Sequence, residues 1–194
     1  MNAAASTQSP TTLEEWAARD DDKVGEFVNG VVVEGEMASF VHEVVVAWLI
    51  RMFGNWAASR GALVASSTLK LGVSRNRGRM ADVVVFFRRG KVEARGLVTV
   101  PPDVAVEVVS PDPKDQKRDR IDKLAEYAAF GIRYYWLVYP ELRSIEVLEL
   151  GSDRRYVHAL GLTEGAVSVT GCDGLEVDLD ALWREVERAE HEEV

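Results

Sequence analysis

Apolar residues recur along this chain with two periods, and the switches between them mark the elements. Phe40, Val41, Val44, Val45, Trp48, Leu49, Met52, Phe53 and Trp56 follow helical spacing, with Ser39 placed to cap the first turn. This predicts a long amphipathic helix whose aromatics pack in a core. Thr12-Leu13-Glu14-Glu15 has the capping-box spacing, so a short helix is expected to start there and to stop at Asp20-Asp21-Asp22. Between the two, residues 24–28 and 31–36 are β-branched runs that flank Asn29-Gly30. Both central positions of a type I′ turn need positive φ, which Asn and Gly tolerate, so an N-terminal hairpin is predicted.

Shorter elements follow. Strands are expected at 63–66 and 68–71, then a loop over 73–78. Residues 80–87 and 104–109 are nearly continuous apolar runs, broken only by Asp82 and Glu107. Such runs are strands buried on both faces, at the centre of a covered sheet. Residues 114–130 form a predicted helix with Ile121, Leu124, Ala125 and Ala128 on its inner face and Gly131 as its C-terminal cap. Further strands are expected at 134–139, 145–150 and 155–160, and a terminal helix at 180–189. Strands alternate with helices, which predicts a mixed sheet with helices packed on it, of the α/β (α+β) class.

Composition narrows this picture. The 194 residues fit one domain, expected over 11–190, behind a disordered tail at 1–10. That tail lacks the basic-then-apolar order of a signal peptide, and no apolar run approaches the ~20 residues of a membrane span. Cys172 is the only cysteine, which excludes an internal disulfide and a cysteine-based zinc site. A cytoplasmic protein is the simplest reading.

The net charge of −9 argues against nucleic acid until its distribution is examined. Residues 1–59 hold 3 basic and 9 acidic side chains, and 141–194 hold 5 and 14. Residues 60–95 hold 9 basic and 2 acidic, and this basic block surrounds Asp82. Phosphate binding follows the local field rather than the total, although a solvated mixed-charge surface has the same composition.

Asp82 and Glu107 are the candidate chemistry. A lone carboxylate buried in an apolar strand costs several kcal/mol, so an ion pair, a hydrogen-bond network or a metal must offset it. Two carboxylates on neighbouring strands can share one hard cation, and Mg²⁺ takes one or two carboxylates plus waters. Strand positions i and i+2 share a face, so residue 109 lies beside Glu107, but it is Val109 and does no acid–base work. On the next helix Lys123 and Tyr127 form an i, i+4 pair beside the apolar face. Spacing alone allows Lys123 to be a solvated lysine lying over the core.

The stretch Val106-Glu107-Val108-Val109-Ser110-Pro111, followed by Lys123, Tyr127, Gly131 and Tyr135-Trp136-Leu137-Val138, closely resembles the Uma-type restriction endonuclease family. Glu26 and Gly30 in the hairpin, His42 at the start of the long helix and Ala81-Asp82-Val83 extend the likeness from about Thr12 to Trp183. That family belongs to the PD-(D/E)XK nuclease superfamily. The resemblance implies a restriction-endonuclease-like mixed sheet flanked by helices, and a bacterial, homodimeric endonuclease acting on DNA with Mg²⁺ or Mn²⁺. It implies that Asp82 and Glu107 hold the metal, helped by the Val108 carbonyl. It implies that the motif lysine has moved from position 109 to Lys123, and that Glu26 is an accessory acid. His42 and Tyr127 are accessory candidates, and Arg75, Arg77 and Arg79 are candidates for phosphate contacts, which makes binding salt-dependent. Two positions depart from the family pattern: Ala81 stands where proline is common, and Tyr139 where aspartate is common before Pro140. A silent dimeric binding module with the same fold, or a hydrolase of smaller phosphoesters, remains open from sequence.

Overall fold

The structure, a computed structural model, describes residues 11–19, 25–34, 37–87, 92 and 94–191. The expected tail at 1–10, the stop at Asp20-Asp21-Asp22 and Arg88, Arg89 and Lys91 of the basic block lie outside the described residues. Helix α1 (Leu13–Ala17) opens with the capping box, Thr12 and Glu15 each bonding the other's backbone N–H. Strands β1 (Glu26–Val28) and β2 (Val31–Val33) form the expected hairpin, with Asn29 at φ 51° and Gly30 at φ 85°. Helix α2 (Phe40–Ala58) starts at Ser39, whose hydroxyl accepts from the His42 N–H.

After β3 (Leu63–Ser66) the chain departs from expectation. Instead of a strand over 68–71 and a loop over 73–78, it forms a hairpin of β4 (Leu71–Ser74) and β5 (Arg77–Arg79). Arg77 and Arg79 hid β5, because they bond carboxylates where a strand normally packs apolar side chains. Strands β6 (Val83–Phe86) and β7 (Val104–Val108) are the two apolar runs. Asp82 falls one residue before β6 rather than inside it. Next come α3 (Pro113–Lys117), a π-helical turn over Arg118–Asp122, and α4 (Lys123–Phe130), which ends at Gly131 with φ 103°. The remaining elements are β8 (Tyr134–Tyr139), β9 (Ser144–Leu150), β10 (Tyr156–Leu162), a small unexpected pair β11 (Ala166–Ser168) and β12 (Glu176–Asp178), and α5 (Leu179–His191). Among the described residues no helix is long and apolar enough to cross a membrane.

The main sheet has the order β10-β9-β8-β7-β6-β3, with β7 and β8 parallel and every other pair antiparallel. It is a mixed α/β arrangement, as the alternation of elements predicted. A second sheet runs β2-β1-β5-β4. Alternation along the strands sends side chains to two cores. Val83, Val85, Val104, Val106 and Val108 face a core shared with α2 and α5. Val84, Phe86, Ala105 and Val109 face the other, shared with Tyr127 of α4 and Leu71 of β4. By parity, Asp82 and Glu107 fall on this second face. The register Val83↔Val106 sets them level with each other.

The inner face of the helix expected over 114–130 is only half the predicted one: Ala128 is buried and Leu124 packs on the second core, but Ile121 and Ala125 are exposed. Ile121 is 59% exposed, while Asp119, Lys123, Tyr127 and Ala128 are buried. Residues 115, 119, 123 and 127 repeat every four positions, and each such step overshoots a turn of 3.6 residues by about 40°. The Lys123 N–H bonds the Arg118 carbonyl five residues back. That wider turn absorbs part of the overshoot and turns the polar stripe, rather than Ile121, toward the sheet.

Trp16 pins α1 to the second sheet. It is buried, donates from its indole N–H to the Gly25 carbonyl at 2.8 Å, and lies against Gly78 of β5. A Cβ at Gly78 would meet Trp16 Cζ3 at 2.3 Å. Gly78→Ala is therefore expected to destabilise by about 1–3 kcal/mol through overpacking. Urea unfolding measures this, and a loss under half that range would mean the ring moves aside freely.

Candidate active site

The site forms where β7 ends and α4 begins. Glu107 is 3% exposed, and both of its oxygens are bonded. Oε2 accepts from Lys123 Nζ at 2.8 Å and Oε1 from the Tyr127 hydroxyl at 2.8 Å. Lys123, 2% exposed, also lies 3.1 Å from Glu26 Oε1 and 3.3 Å from Asp119 Oδ1. Burial alone would depress its ammonium, but Glu107, Glu26 and Asp119 outweigh that and hold it above its ordinary value. It is a charged lysine in a cage of three carboxylates, and not a solvated one.

Glu107 is the strained member of this set. Burial pushes its carboxyl well above the usual range; Lys123 opposes the shift, while Asp119, Asp82 and Glu26 add to it. Glu26 shows the opposite balance. Burial raises its pKa, yet Lys123 and Arg79 together bring it below the ordinary value. Asp82 is anchored through Oδ2, which accepts from the Val108 N–H at 2.7 Å and lies 3.3 Å from His42 Nε2. Burial works against the His42 imidazolium, but Asp82 and Glu43 outweigh it and raise its pKa.

A second tier of charges braces these groups. Arg79, 4% exposed, bonds Glu26 Oε2 at 2.7 Å and grips Glu126 through Nε and a terminal nitrogen, at 2.6 and 2.9 Å. Arg77 bonds the same Glu126 at 2.7 Å and reaches the Asn29 side chain. The chain of contacts from Lys123 through Glu26, Arg79 and Glu126 ties α4 to the hairpin sheet. Arg79, a candidate for phosphate contacts, has a buried guanidinium engaged by two carboxylates. Arg77 is likewise turned to Glu126, and Arg75 is exposed on the β4–β5 turn.

Glu26, His42, Asp82, Glu107, Val108 and Lys123 all line one cavity of about 950 Å³. The structure thus brings together the acids, the lysine and His42, with Tyr127 directly behind Glu107. Sequence reasoning missed Asp115, Asp119, Arg118 and Glu126. The four-residue repeat Asp115, Asp119, Lys123, Tyr127 was the signal that could have found the first two.

The family model Uma2, described as "Putative restriction endonuclease", matches residues 10–182. The chain belongs to the Uma2 family. The crystal structure of a putative nuclease belonging to DUF820, from Anabaena variabilis, is similar to this Uma2 chain with a TM-score of 0.71 at 19% identity. The likeness covers 91% of this chain and 99% of that one, and it shows a shared fold. No curated protein matches the chain.

The donor set fits a hard cation. Asp82, Glu107 and the Val108 carbonyl offer oxygen only, the ligand type Mg²⁺ and Mn²⁺ take. Among the described residues Asp82 Oδ1 has no protein partner, and each Glu107 oxygen has one donor on an atom with two lone pairs. No group of three or more His, Cys, Asp or Glu side chains is gathered as a metal cage among the described residues. Mg²⁺ does not need one, because it keeps several waters.

Proposed function

We propose that this Uma2 chain is a Mg²⁺-dependent endonuclease, with Mn²⁺ able to substitute, that hydrolyses phosphodiester bonds of DNA. One observation carries the reading: Asp82, Glu107 and Lys123 converge on one cavity, with the lysine ammonium held charged against the Glu107 carboxylate. A structural ion pair needs one carboxylate; this lysine has three, at the wall of a large cavity, in a family described as "Putative restriction endonuclease".

Asp82 and Glu107, with the Val108 carbonyl, would hold the ion, which when bound supplies Lewis-acid polarisation of a phosphodiester oxygen and acidifies water. Lys123 directs a fixed positive charge at the place where negative charge develops on the phosphate, and orients the attacking water. Tyr127 holds Glu107 in one rotamer from behind. The Val108 N–H and His42 fix the Asp82 carboxylate, and His42 keeps a proton near the reacting phosphate. Glu26, locked by Arg79, keeps Lys123 charged and in place.

The test is plasmid nicking by pure protein with Mg²⁺ or Mn²⁺, beside Asp82→Ala and Lys123→Ala. Nicking by the wild type alone is expected. Equal nicking by all three would point to a contaminant, and no nicking by the wild type with either ion would overturn the reading.

A further inference from the structure

Under the nuclease reading Lys123 and the ion serve the reacting phosphate, and the rest of the substrate's negative charge is left without a partner on the cavity wall. Its lining is rich in acid, with Glu34, Glu43, Glu141 and Glu190 added to the carboxylates already described. Three permanent cations line it among the described residues: Arg79, Lys123 and Arg118. Arg79 and Lys123 are almost wholly buried and held by two and three carboxylates. Arg118 differs, with a side chain that is 31% exposed.

We infer that Arg118 is the residue that grips a phosphate group of the substrate at the cavity wall. This rests on the nuclease reading and names the contact that reading lacks. The π-helical turn that buries Asp119 and Lys123 begins at Arg118, so the same backbone feature that delivers the lysine sets the arginine beside it. Its guanidinium is held from behind. One terminal nitrogen donates to Asp115 Oδ1 at 2.5 Å, Nε to Asp119 Oδ1 at 3.1 Å, and the other terminal nitrogen to Asp119 Oδ2 at 3.4 Å. A guanidinium has five N–H bonds, so two remain without a partner among the described residues. Asp115 and Asp119 are buried, which fixes the plane of the fork before any ligand arrives. A pre-set fork loses little side-chain freedom on bonding a phosphate and matches its oxygens two at a time. Arg118 Nε and Lys123 Nζ share Asp119 Oδ1, at 3.1 and 3.3 Å, so a phosphate held by Arg118 lies close to the lysine. Arg79 is buried against Glu26 and Glu126, and Arg77 bonds Glu126 and does not line the cavity, whereas Arg118 does.

Fluorescence anisotropy with a labelled DNA duplex in Ca²⁺, and a titration with the small phosphodiester bis(p-nitrophenyl) phosphate, test this. Arg118→Met is expected to weaken both interactions about tenfold, the scale of one charged hydrogen bond. Arg118→Lys retains the charge without the fork and is expected to fall between. The salt slope for the duplex should drop by about one in Arg118→Met. Because Arg118→Met also strips Asp115 and Asp119 of their cation, the wild type labelled with [¹⁵N]arginine gives an independent reading. Its Arg118 Nε resonance should move on adding either probe. A static Arg118 resonance, or wild-type affinity in Arg118→Met, overturns the assignment and leaves the nuclease reading standing if the wild type still nicks plasmid. Arg118-dependent binding of the small diester without duplex binding supports the assignment and removes DNA as the substrate. Failure of the wild type to bind either probe overturns it.

Discussion

Lys123→Met is expected to lower stability by about 3–5 kcal/mol, the scale for removing one member of a buried charge set and leaving another unpaired. Glu26 keeps Arg79 and Asp119 keeps Arg118, so the group stranded is Glu107, left with only the neutral Tyr127 hydroxyl as donor. The loss has a pH signature whose sign is fixed. Burial already holds the Glu107 carboxyl well above 4.5 with Lys123 opposing, and without Lys123 it rises further. A carboxyl with a folded pKa above its unfolded value contributes its stability below the unfolded value and loses it as pH climbs through the folded one. Lys123 itself is raised, so it stays charged throughout and adds no slope at neutral pH. The deficit against wild type should therefore be smallest at the acid end, where Glu107 is protonated in both proteins, and grow as pH climbs through its raised value. Urea midpoints across that range measure it. A deficit that is flat, or widest in acid, would show that Lys123 does not support the Glu107 charge. Lys123→Arg is not expected to rescue, because a planar fork does not fill the compact site of an ammonium between three carboxylates.

The sequence made this lysine hard to place for a physical reason. A buried charge on a helix is visible only through its partners, and those partners sit on β1, on β7 and one helical step away. Elements with a single strong period were legible: α2 by its aromatic stripe, the first hairpin by Asn29-Gly30, and β6 and β7 by their continuous apolar runs. Elements whose stability comes from charge pairing were not. Strand β5 is Arg-Gly-Arg, and nothing local in those residues announces a strand whose side chains are satisfied by Glu26 and Glu126. The same effect half-misdirected the helix over 114–130, where Leu124 and Ala128 do face the core but Ile121 and Ala125 of the same apolar face lie exposed.

The carboxylates were the easiest part of the site to find and the arginines the hardest. Asp82 and Glu107 interrupt apolar runs, and a run interrupted by charge asks what offsets it. Arginines carry no such signal, since a basic loop and a basic strand have the same composition. Arg79, a candidate for phosphate contact, is folded in as a brace, while Arg118, to which the sequence assigned no part, lies at the cavity wall.

Divalent cation should stabilise the wild type, and the stabilisation should vanish in acid. A ligand at about 100 times its dissociation constant adds about 2.7 kcal/mol, worth roughly 5–10 °C in Tm for a chain of this size. The binding oxygens must be ionised, and Glu107 holds its proton well above the ordinary 4.5 because burial outweighs Lys123. Protons therefore compete with the ion over a window that starts near 4.5 and extends upward to that raised value. With Mg²⁺ or Mn²⁺ in excess, the thermal shift is expected to be full where Glu107 is ionised and to fade as pH drops through its raised value toward 4.5. Glu107→Gln and Asp82→Asn should abolish the shift at every pH. Glu107→Gln should also stand at or above wild type in the absence of the ion at the alkaline end, because the ionised carboxylate it replaces is a cost to the fold there. That separates the two roles of the residue. A structural Glu107 would make Glu107→Gln less stable with or without the ion, and a shift that survived in Asp82→Asn would place the cation elsewhere. The pairing of a costly carboxylate with a cation-dependent gain is what a site selected for chemistry rather than stability is expected to have.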